Sequence, residues 1–321
     1  MANIFELTER PKADLIFKRN DPNDPRMGEV VGTDEKDLQT ADIVILGCQQ
    51  DEGVVRNHGR TGAAKAPDAI REHLYRLTTF NLRKKVFDLG NIRLGTTLEE
   101  THETQKTVVT ELLKLGKRVV VIGGGGDISY PDGKAMADAF GNENWLAVNI
   151  NPHLGVRIAD QINSGTPFRQ LLEEEFLLPN RFFEVGYQTH VNSPIYYEHL
   201  RKIGVQRISL ELLRSRSETD YELKELIKQK FVHHSSSIST FFGFDLSVVR
   251  ASDAPGTSAP SPLGLRAGEF IQLVKYSASL ANTKLVEFTE VNPDHDSDDR
   301  TVKLVAIAIH RFCTGTGISS V

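Results

Sequence analysis

The sequence predicts an α/β fold in three αβα layers, with an eight-stranded, mostly parallel sheet between two layers of helices. Two observations carry this prediction. Short apolar segments recur from residue 42 onward, and helix-like segments separate most of them. Several apolar segments are continuous rather than alternating, as at 119–122, which is typical of parallel strands that helices cover on both faces. Such an alternation of strands and helices favours a doubly wound sheet.

The candidate strands are short and lie at 42–48, 86–89, 118–122, 145–150, 181–185, 206–210, 240–246 and 285–291. The clearest helical patterns lie at 97–115, 167–176, 265–281 and 301–312. An acidic run at 294–299 precedes the last of these helices. We interpret this run as a cap and first helical turn rather than a cation site, because carboxylates favour a helix N-terminus.

The domain organisation is predicted to be simple. Residues 1–40 are polar and contain a cluster of turn residues, so we expect an N-terminal arm that packs on the main body. Residues 41–321 contain no linker rich in Pro, Gly or Ser and no internal repeat. One α/β domain of this length is common, and we therefore predict a single domain for that range.

Composition and charge exclude several classes of function. The 321 residues contain 38 Lys and Arg against 43 Asp and Glu, a net charge of −5, and no basic stretch that could follow a nucleic-acid backbone. The longest apolar runs reach about six residues, whereas a membrane span needs about 20. The first residues lack a signal-peptide pattern, and Cys48 and Cys313 lie in or beside apolar segments. These features predict a cytoplasmic protein with reduced core thiols and no membrane partner.

Unusual residues follow several of the predicted strands. Residues 123–126 are four consecutive glycines, but neither a Walker nor a dinucleotide-binding pattern is present, so a tight turn is expected there. His153, Asp245 and Glu290 lie at or just after the ends of other strands. Each has an ordinary structural interpretation, a hydrogen-bonded histidine or a helix cap. Because ligands bind beyond the carboxyl ends of parallel strands, the three together predict a polar crevice.

The sequence resembles the ureohydrolases, the family of arginase, agmatinase and formiminoglutamase, through several motifs that occur in the order found in that family. The resemblance is strongest to formiminoglutamase. The motifs lie at 51–71, 164–170, Ala254-Pro255-Gly256 and Glu290-Val291-Asn292-Pro293. The resemblance covers most of residues 42–312. It implies an arginase-like fold, a homo-oligomer (trimer or hexamer), and a binuclear manganese cluster that cleaves a C–N bond of a guanidine or amidine.

The positions that match the family's metal ligands are mostly substituted. The resemblance places the six ligands at Gly126, Asn151, His153, Gly155, Asp245 and Ser247. Only His153 and Asp245 keep the family's residue types, so four of the six ligands are missing. Manganese depends on carboxylate oxygens, and these positions supply one carboxylate. We therefore expect no manganese cofactor, with a single weak ion on His153 and Asp245 as the alternative.

The rest of the site is better preserved. Glu290 matches the family carboxylate that faces the amidinium end of the substrate. A carboxylate suits a planar cation, and the guanidinium groups of Arg157 and Arg169 suit a carboxylate in the same way, unless they form structural salt bridges. Asn57 and Arg60 follow the first strand and are expected to border the crevice. These five residues are the predicted substrate-binding group.

The sequence leaves three functions open. The leading interpretation is a formiminoglutamase-like homologue that has lost most manganese ligands, is inactive or altered in catalysis, and binds a small amino-acid-derived ligand. The first alternative is an active amidinohydrolase that cleaves N-formimino-glutamate or a related amidine or guanidine with rearranged ligands. The second is a structural or regulatory subunit. A pair of histidines, His233 and His234, is followed by three serines and is predicted to lie in an exposed loop.

Rebuilding the ligand set by mutation is expected to be hardest at Gly126. A side chain there is costly if this glycine adopts a positive φ angle, a conformation that L residues other than glycine rarely adopt.

Overall fold

A nine-stranded sheet organises the part of the chain that the computed structural model describes, residues 3–216 and 238–315. The strands are β1 (Thr8–Glu9), β2 (Ile43–Gly47), β3 (Val86–Ile92), β4 (Arg118–Ile122), β5 (Trp145–Ile150), β6 (Phe182–Tyr187), β7 (Gln206–Ser209), β8 (Ser239–Asp245) and β9 (Thr283–Thr289). Their order in space is β1-β3-β2-β4-β9-β8-β5-β6-β7. His233 and His234 lie outside the described residues.

All neighbouring strands of this sheet are parallel except the first pair. The eight predicted strands are all present, with bounds that shift by a few residues at most. The ninth strand, β1, comes from the N-terminal segment, where Thr8 and Glu9 pair antiparallel with Ile92 and Asn91. A strand of two residues is too short to show any periodicity, which is why the sequence did not predict it. The domain boundary near residue 41 stays a prediction.

Eleven α-helices lie within the described ranges. They are α1 (Met27–Val30), α2 (Glu35–Leu38), α3 (Glu52–Arg56), α4 (Ala66–Leu74), α5 (Leu98–Lys114), α6 (Ser129–Phe140), α7 (Pro167–Glu173), α8 (Pro194–Ile203), α9 (Leu210–Arg216), α10 (Ala267–Ser279) and α11 (Arg300–Thr314). The short helices α1, α2, α3 and α9 were not predicted. Three longer helices, α4, α6 and α8, were missed as well. Each contains a proline in its first turn, where the missing N–H costs nothing, so a proline there indicates a start rather than an interruption.

The sheet separates two apolar cores. On β4, Val120 and Ile122 face a core shared with α4, α10 and α11, whereas Val119 and Val121 face a core shared with α5, α6 and α7. Both faces of β4 are therefore covered, as the continuous apolar run predicted. The three-layer αβα architecture is confirmed. Within the described ranges, no helix is both long and apolar enough to span a bilayer.

Two local predictions are also confirmed. The acidic run before α11 caps that helix, because the Asp296 carboxylate accepts hydrogen bonds from the backbone nitrogens of Thr301 (2.8 Å) and Val302 (3.0 Å). Cys48 and Cys313 are buried free thiols. Burial raises the pKa of Cys313 to about 12, so this thiol stays protonated at neutral pH.

Candidate functional site

A polar cavity of about 500 Å³ lies at the carboxyl ends of the central strands, where the sequence predicted a crevice. The loop after β5, the ends of β8 and β9, α3 and the start of α8 form its walls. Its lining includes the predicted residues Asn57, Asn151, His153, Gly155, Arg157, Asp245, Ser247 and Glu290. Segments far apart in the sequence therefore meet here because each follows a neighbouring strand of one sheet.

Glu290 directly follows β9 and has a positive φ of 63°. Its Oε1 atom accepts a hydrogen bond of 2.6 Å from the backbone nitrogen of Gly126. Its Oε2 atom is buried and has no hydrogen-bond partner among the residues described. Burial, followed by the neighbouring charge of Asp245, raises the pKa of Glu290 to about 8. Oε2 thus has no donor at hydrogen-bond distance, and the nearby Ser258 hydroxyl, which also lacks a partner among the described residues, opposes the rise in this pKa.

Asp245 ends β8 and is the second carboxylate of the cavity. Its Oδ1 atom accepts a hydrogen bond of 2.8 Å from the backbone nitrogen of Ser247. Burial raises the pKa of Asp245 to about 6. No Lys, Arg or His of residues 3–216 and 238–315 forms an ion pair with Asp245 or Glu290. Two neighbouring carboxyl groups without a counter-ion favour a bound cation, which would lower both pKa values.

His153 lies on the loop after β5. The backbone nitrogen of His153 donates to Asn151 Oδ1 at 2.7 Å, so the Asn151 side chain folds back onto its own loop. Burial and the nearby charge of Arg157 lower the pKa of His153 to about 4. The imidazole is therefore neutral at physiological pH.

The six positions that match family metal ligands meet at one edge of the sheet. Five of them line the cavity, and the backbone of Gly126 is bonded to Glu290 beside it. Across the described part of the chain, no three His, Cys, Asp or Glu side chains converge closely enough to hold a metal ion. One carboxylate and one imidazole do not fit a pair of Mn²⁺ ions, which need several carboxylate oxygens.

The two glycines at these positions differ in backbone conformation. Gly126 is not among the glycines with positive φ, and a Cβ there would lie 3.2 Å from the Ser164 carbonyl oxygen and 3.4 Å from Glu290 Oε1. Gly155 has a φ of 61°, and a Cβ there would lie 2.9 Å from Phe168 Cδ2. The positive φ angle that would make Gly126 costly to substitute is therefore found at Gly155 instead.

This difference gives a stability prediction. We expect Gly155→Ala to destabilise the protein by about 1–2 kcal/mol from the left-handed backbone alone, with a further cost from Phe168. Gly126→Ala is expected to stay within about 1 kcal/mol of the parent, because only a small shift of Ser164 is needed. Urea denaturation of the two variants measures this, and an equal or reversed order of stability would contradict it.

The predicted arginines separate into two groups. Arg157 lies exposed at the cavity rim, where its Nη1 donates to Asn57 Oδ1 at 3.0 Å, and Asn57 Nδ2 donates to Ser164 Oγ at 2.9 Å. Arg169 forms an ion pair of 2.5 Å with Glu173, four residues later on the same helix. Arg60 donates to the carbonyl oxygen of Thr257. Neither Arg169 nor Arg60 lines the cavity, so three of the five predicted substrate-binding residues, Asn57, Arg157 and Glu290, meet there.

Sequence reasoning missed several polar residues of the lining, among them Asn192, Ser193, Tyr196 and Ser258. The first three lie at or near the start of α8, a helix that was not predicted. The Ser193-Pro194 pair, a capping residue followed by proline, was the signal that could have located this helix.

A buried polar cluster between the sheet and helices α5 and α6 was also missed. Glu287 lies in the middle of β9, accepts a hydrogen bond from Ser129 Oγ, and is 1% exposed. Gln105 Nε2 donates to Asp132 Oδ1 at 2.8 Å. Burial and the charge of Asp132 raise the pKa of Glu287 well above its usual value, and burial raises the pKa of Asp132 to about 7. Both shifts favour the protonated forms of these carboxyl groups.

The fold and the cavity define an α/β protein with a polar binding site at the carboxyl ends of its parallel strands. The Arginase family profile matches residues 41–314. A formimidoylglutamase from Staphylococcus aureus (strain bovine RF122 / ET3-1) is 32% identical over 282 residues, 87% of this chain and 88% of that protein. The chain belongs to the arginase family, which confirms the resemblance to ureohydrolases and to formiminoglutamase.

Solved structures agree with this assignment. The crystal structure of Trypanosoma cruzi formiminoglutamase with Mn²⁺ superposes with a TM-score of 0.83 at 33% identity, covering 91% of this chain and 98% of that one. The formimidoylglutamase from Bacillus subtilis subsp. subtilis str. 168 gives a TM-score of 0.82 at 24% identity, which supports the fold alone. The arginase-like fold is thus confirmed.

Proposed function

We propose that this chain binds a small amino-acid derivative with a cationic amidinium, guanidinium or ammonium end, and that it does so without a manganese pair. The observation that carries this proposal is Glu290 Oε2, a buried acceptor with no partner among the described residues, beside the unpaired carboxylate of Asp245. A cation there makes charge-assisted hydrogen bonds to both carboxyl groups and relieves their mutual repulsion.

The cavity rim supports the amino-acid part of the proposal. Arg157 contributes a guanidinium cation to the lining, and its hydrogen bond to Asn57 holds this group near the mouth of the cavity. A guanidinium in that position binds a carboxylate through paired hydrogen bonds. A cavity of about 500 Å³ accommodates a small molecule that extends from Glu290 to Arg157.

The side chains at the six positions that match the family's metal ligands do not favour metal-dependent hydrolysis. In the ureohydrolases that this chain resembles, the manganese ions supply the activated water that attacks the C–N bond. The six matching positions here provide two glycines, one asparagine, one serine, one histidine and one aspartate. Among the described residues of the lining, no serine or cysteine forms a hydrogen bond with a histidine, as a Ser-His or Cys-His arrangement would require.

Hydrolysis is the second candidate function, and the names of the relatives favour it. Proteins at 32–33% identity that are called formimidoylglutamase or formiminoglutamase match nearly the whole chain. An active enzyme would cleave N-formimino-glutamate or a related amidine. The two candidates differ in a simple observable, since a binding protein leaves its ligand intact.

Calorimetric titration of the parent with L-arginine and agmatine tests the binding role, because these ligands share a guanidinium and differ by one carboxylate. We expect Glu290→Gln to raise the dissociation constants of both ligands by about tenfold or more. Arg157→Met is expected to raise the dissociation constant of L-arginine by about tenfold and to leave that of agmatine unchanged. Arg169→Met is the matched control, because its guanidinium is paired with Glu173 outside the cavity.

Two outcomes would count against the proposal. One is a Glu290→Gln variant that binds both ligands as the parent does, and the other is a parent that binds neither L-arginine, agmatine nor N-formimino-L-glutamate. Release of urea or formamide with added Mn²⁺ at about 1 s⁻¹ or faster would establish the enzymatic alternative instead. The homo-oligomer stays a prediction, and the subunit role stays an alternative.

A further inference from the structure

A second cavity, of about 420 Å³, lies on the other side of the loop that follows β5. Side chains of α5 and α6, residues 160–162 and Gln170 of α7 form its lining. The linings of the two cavities share no residue within the described ranges. Nothing in the proposed function of the first cavity involves this one.

Most charges of this second lining are already paired. Glu99 forms an ion pair of 2.6 Å with Arg56, and Glu103 forms one of 2.8 Å with Lys106. Two charged side chains of the lining, Lys134 and Asp160, form no ion pair with any residue of 3–216 and 238–315. The cavity thus has one unpaired cation and one unpaired anion.

Lys134 is held in a defined place. Its ammonium nitrogen lies 5.1 Å from the ring centroid of Tyr130 and 5.2 Å from that of Phe176, within the range of cation–π attraction. The Tyr130 hydroxyl donates to Glu174, which fixes the ring against which the ammonium packs. Aromatic rings position a cation without neutralising its charge, so Lys134 stays available to an anionic group.

Gln170 adds an acceptor to the same lining. Its Oε1 atom is buried and has no hydrogen-bond partner among the described residues. A buried acceptor without a donor costs free energy, and a bound N–H group that reaches it removes that cost. With the Asp160 carboxylate, Gln170 gives the cavity two acceptors for an ammonium group.

We propose that this second cavity binds a small zwitterion, a free α-amino acid, with its carboxylate at Lys134 and its ammonium at Asp160 and Gln170. The ligand requires both charges, because each unpaired group of the lining is satisfied by the opposite end of the molecule. Paired charges elsewhere in the lining oppose ligands with a large net charge.

Calorimetric titration of the full chain with glycine, L-alanine and L-glutamine, each up to 10 mM, tests this site. We expect at least one of them to bind, and Lys134→Met and Asp160→Asn each to weaken binding by about tenfold or more. Lys114→Met, an exposed lysine of α5 outside the lining, is the matched control. Glu290→Gln separates the two cavities, because it changes the first one and leaves the second intact.

The ligand's own groups provide an independent check. The decarboxylated analogue 4-aminobutyramide and the deaminated analogue 4-carbamoylbutyrate are expected to bind about tenfold more weakly than L-glutamine or not at all, if L-glutamine is the amino acid that binds. The proposal is overturned if none of the three amino acids binds, if binding is unchanged in both Lys134→Met and Asp160→Asn, or if Glu290→Gln abolishes it.

Discussion

We expect Mn²⁺ to raise the melting temperature of a variant in which the four missing ligand types are restored. The four substitutions are Gly126→His, Asn151→Asp, Gly155→Asp and Ser247→Asp. A ligand at about 1,000 times its dissociation constant stabilises the folded state by about 4 kcal/mol, which corresponds to a rise of roughly 5 °C or more in a protein of this size. The parent is expected to show no such rise.

The same variant is expected to be less stable than the parent without metal. Three additional carboxylates in a buried cavity repel one another and Asp245, and the cost falls when cations bind. Gly155→Asp adds backbone strain and contact with Phe168, as the φ of 61° and the 2.9 Å approach indicate. The free energy of unfolding should therefore fall in the apo form and recover with Mn²⁺.

Two further variants keep this experiment decisive if the fourfold variant fails to fold. The triple variant Gly126→His, Asn151→Asp, Ser247→Asp avoids the strained position and supplies five of the six ligand types. A matched control carries Gly126→Ala in place of Gly126→His and therefore has one metal ligand fewer. Its melting temperature should rise less on addition of Mn²⁺. A triple variant that folds and shows no response would mean that the strand ends no longer form the family's metal-binding frame.

Glu287→Gln is expected to increase the free energy of unfolding, and to do so more strongly as the pH rises. Glu287 is buried between β9 and α6, accepts a hydrogen bond from Ser129, and lies beside Asp132. The amide introduced by the substitution has the shape of a protonated carboxyl group, accepts the same hydrogen bond and donates to Asp132. The folded structure therefore needs little adjustment.

The direction of the pH effect follows from the raised pKa of Glu287. Below its ordinary value of 4.5 the carboxyl is protonated in both the folded and the unfolded states and contributes nothing. Above that pH the unfolded state ionises, while the folded state stays protonated. Folding of the parent then costs about 1.4 kcal/mol more for each pH unit, until the folded pKa is reached. The variant lacks this cost.

Urea denaturation of the parent and of Glu287→Gln at pH 5, 6 and 7 measures the effect. The gap between their free energies of unfolding should widen as the pH rises, by at most about 1.4 kcal/mol per pH unit. Glu143→Gln, at an exposed position before β5, is the matched control and should show no pH-dependent gap. A gap that stays constant or narrows with rising pH would mean that the Glu287 carboxyl is ionised in the folded protein.

Much of the sheet could be predicted because its strands are buried on both faces. The strands β4 and β5 have the predicted bounds, since a continuous apolar run leaves few alternatives. Strand β1 and helices α4, α6 and α8 were missed, because two residues show no period and first-turn prolines look like interruptions. Glu287 was missed because it lies inside a strand that was identified from its apolar neighbours alone.

The site was predictable to the extent that topology determines it. His153, Asp245 and Glu290 meet because each lies at or just after the end of a parallel strand of the same sheet, which the sequence alone indicates. The sequence could not show which of Arg157 and Arg169 lines the cavity, because both lie in the segment that follows β5. In the folded protein, Glu173 pairs with Arg169, and Asn57 holds Arg157 at the cavity rim.

The central proposal is that the cavity no longer holds a manganese pair. Elemental analysis of the purified parent, after incubation with excess Mn²⁺ and dialysis, tests this most directly. The one carboxylate and one imidazole at the six matching positions predict no stoichiometric manganese. Two tightly held Mn²⁺ ions per chain would contradict the proposal and would favour an active hydrolase with rearranged ligands.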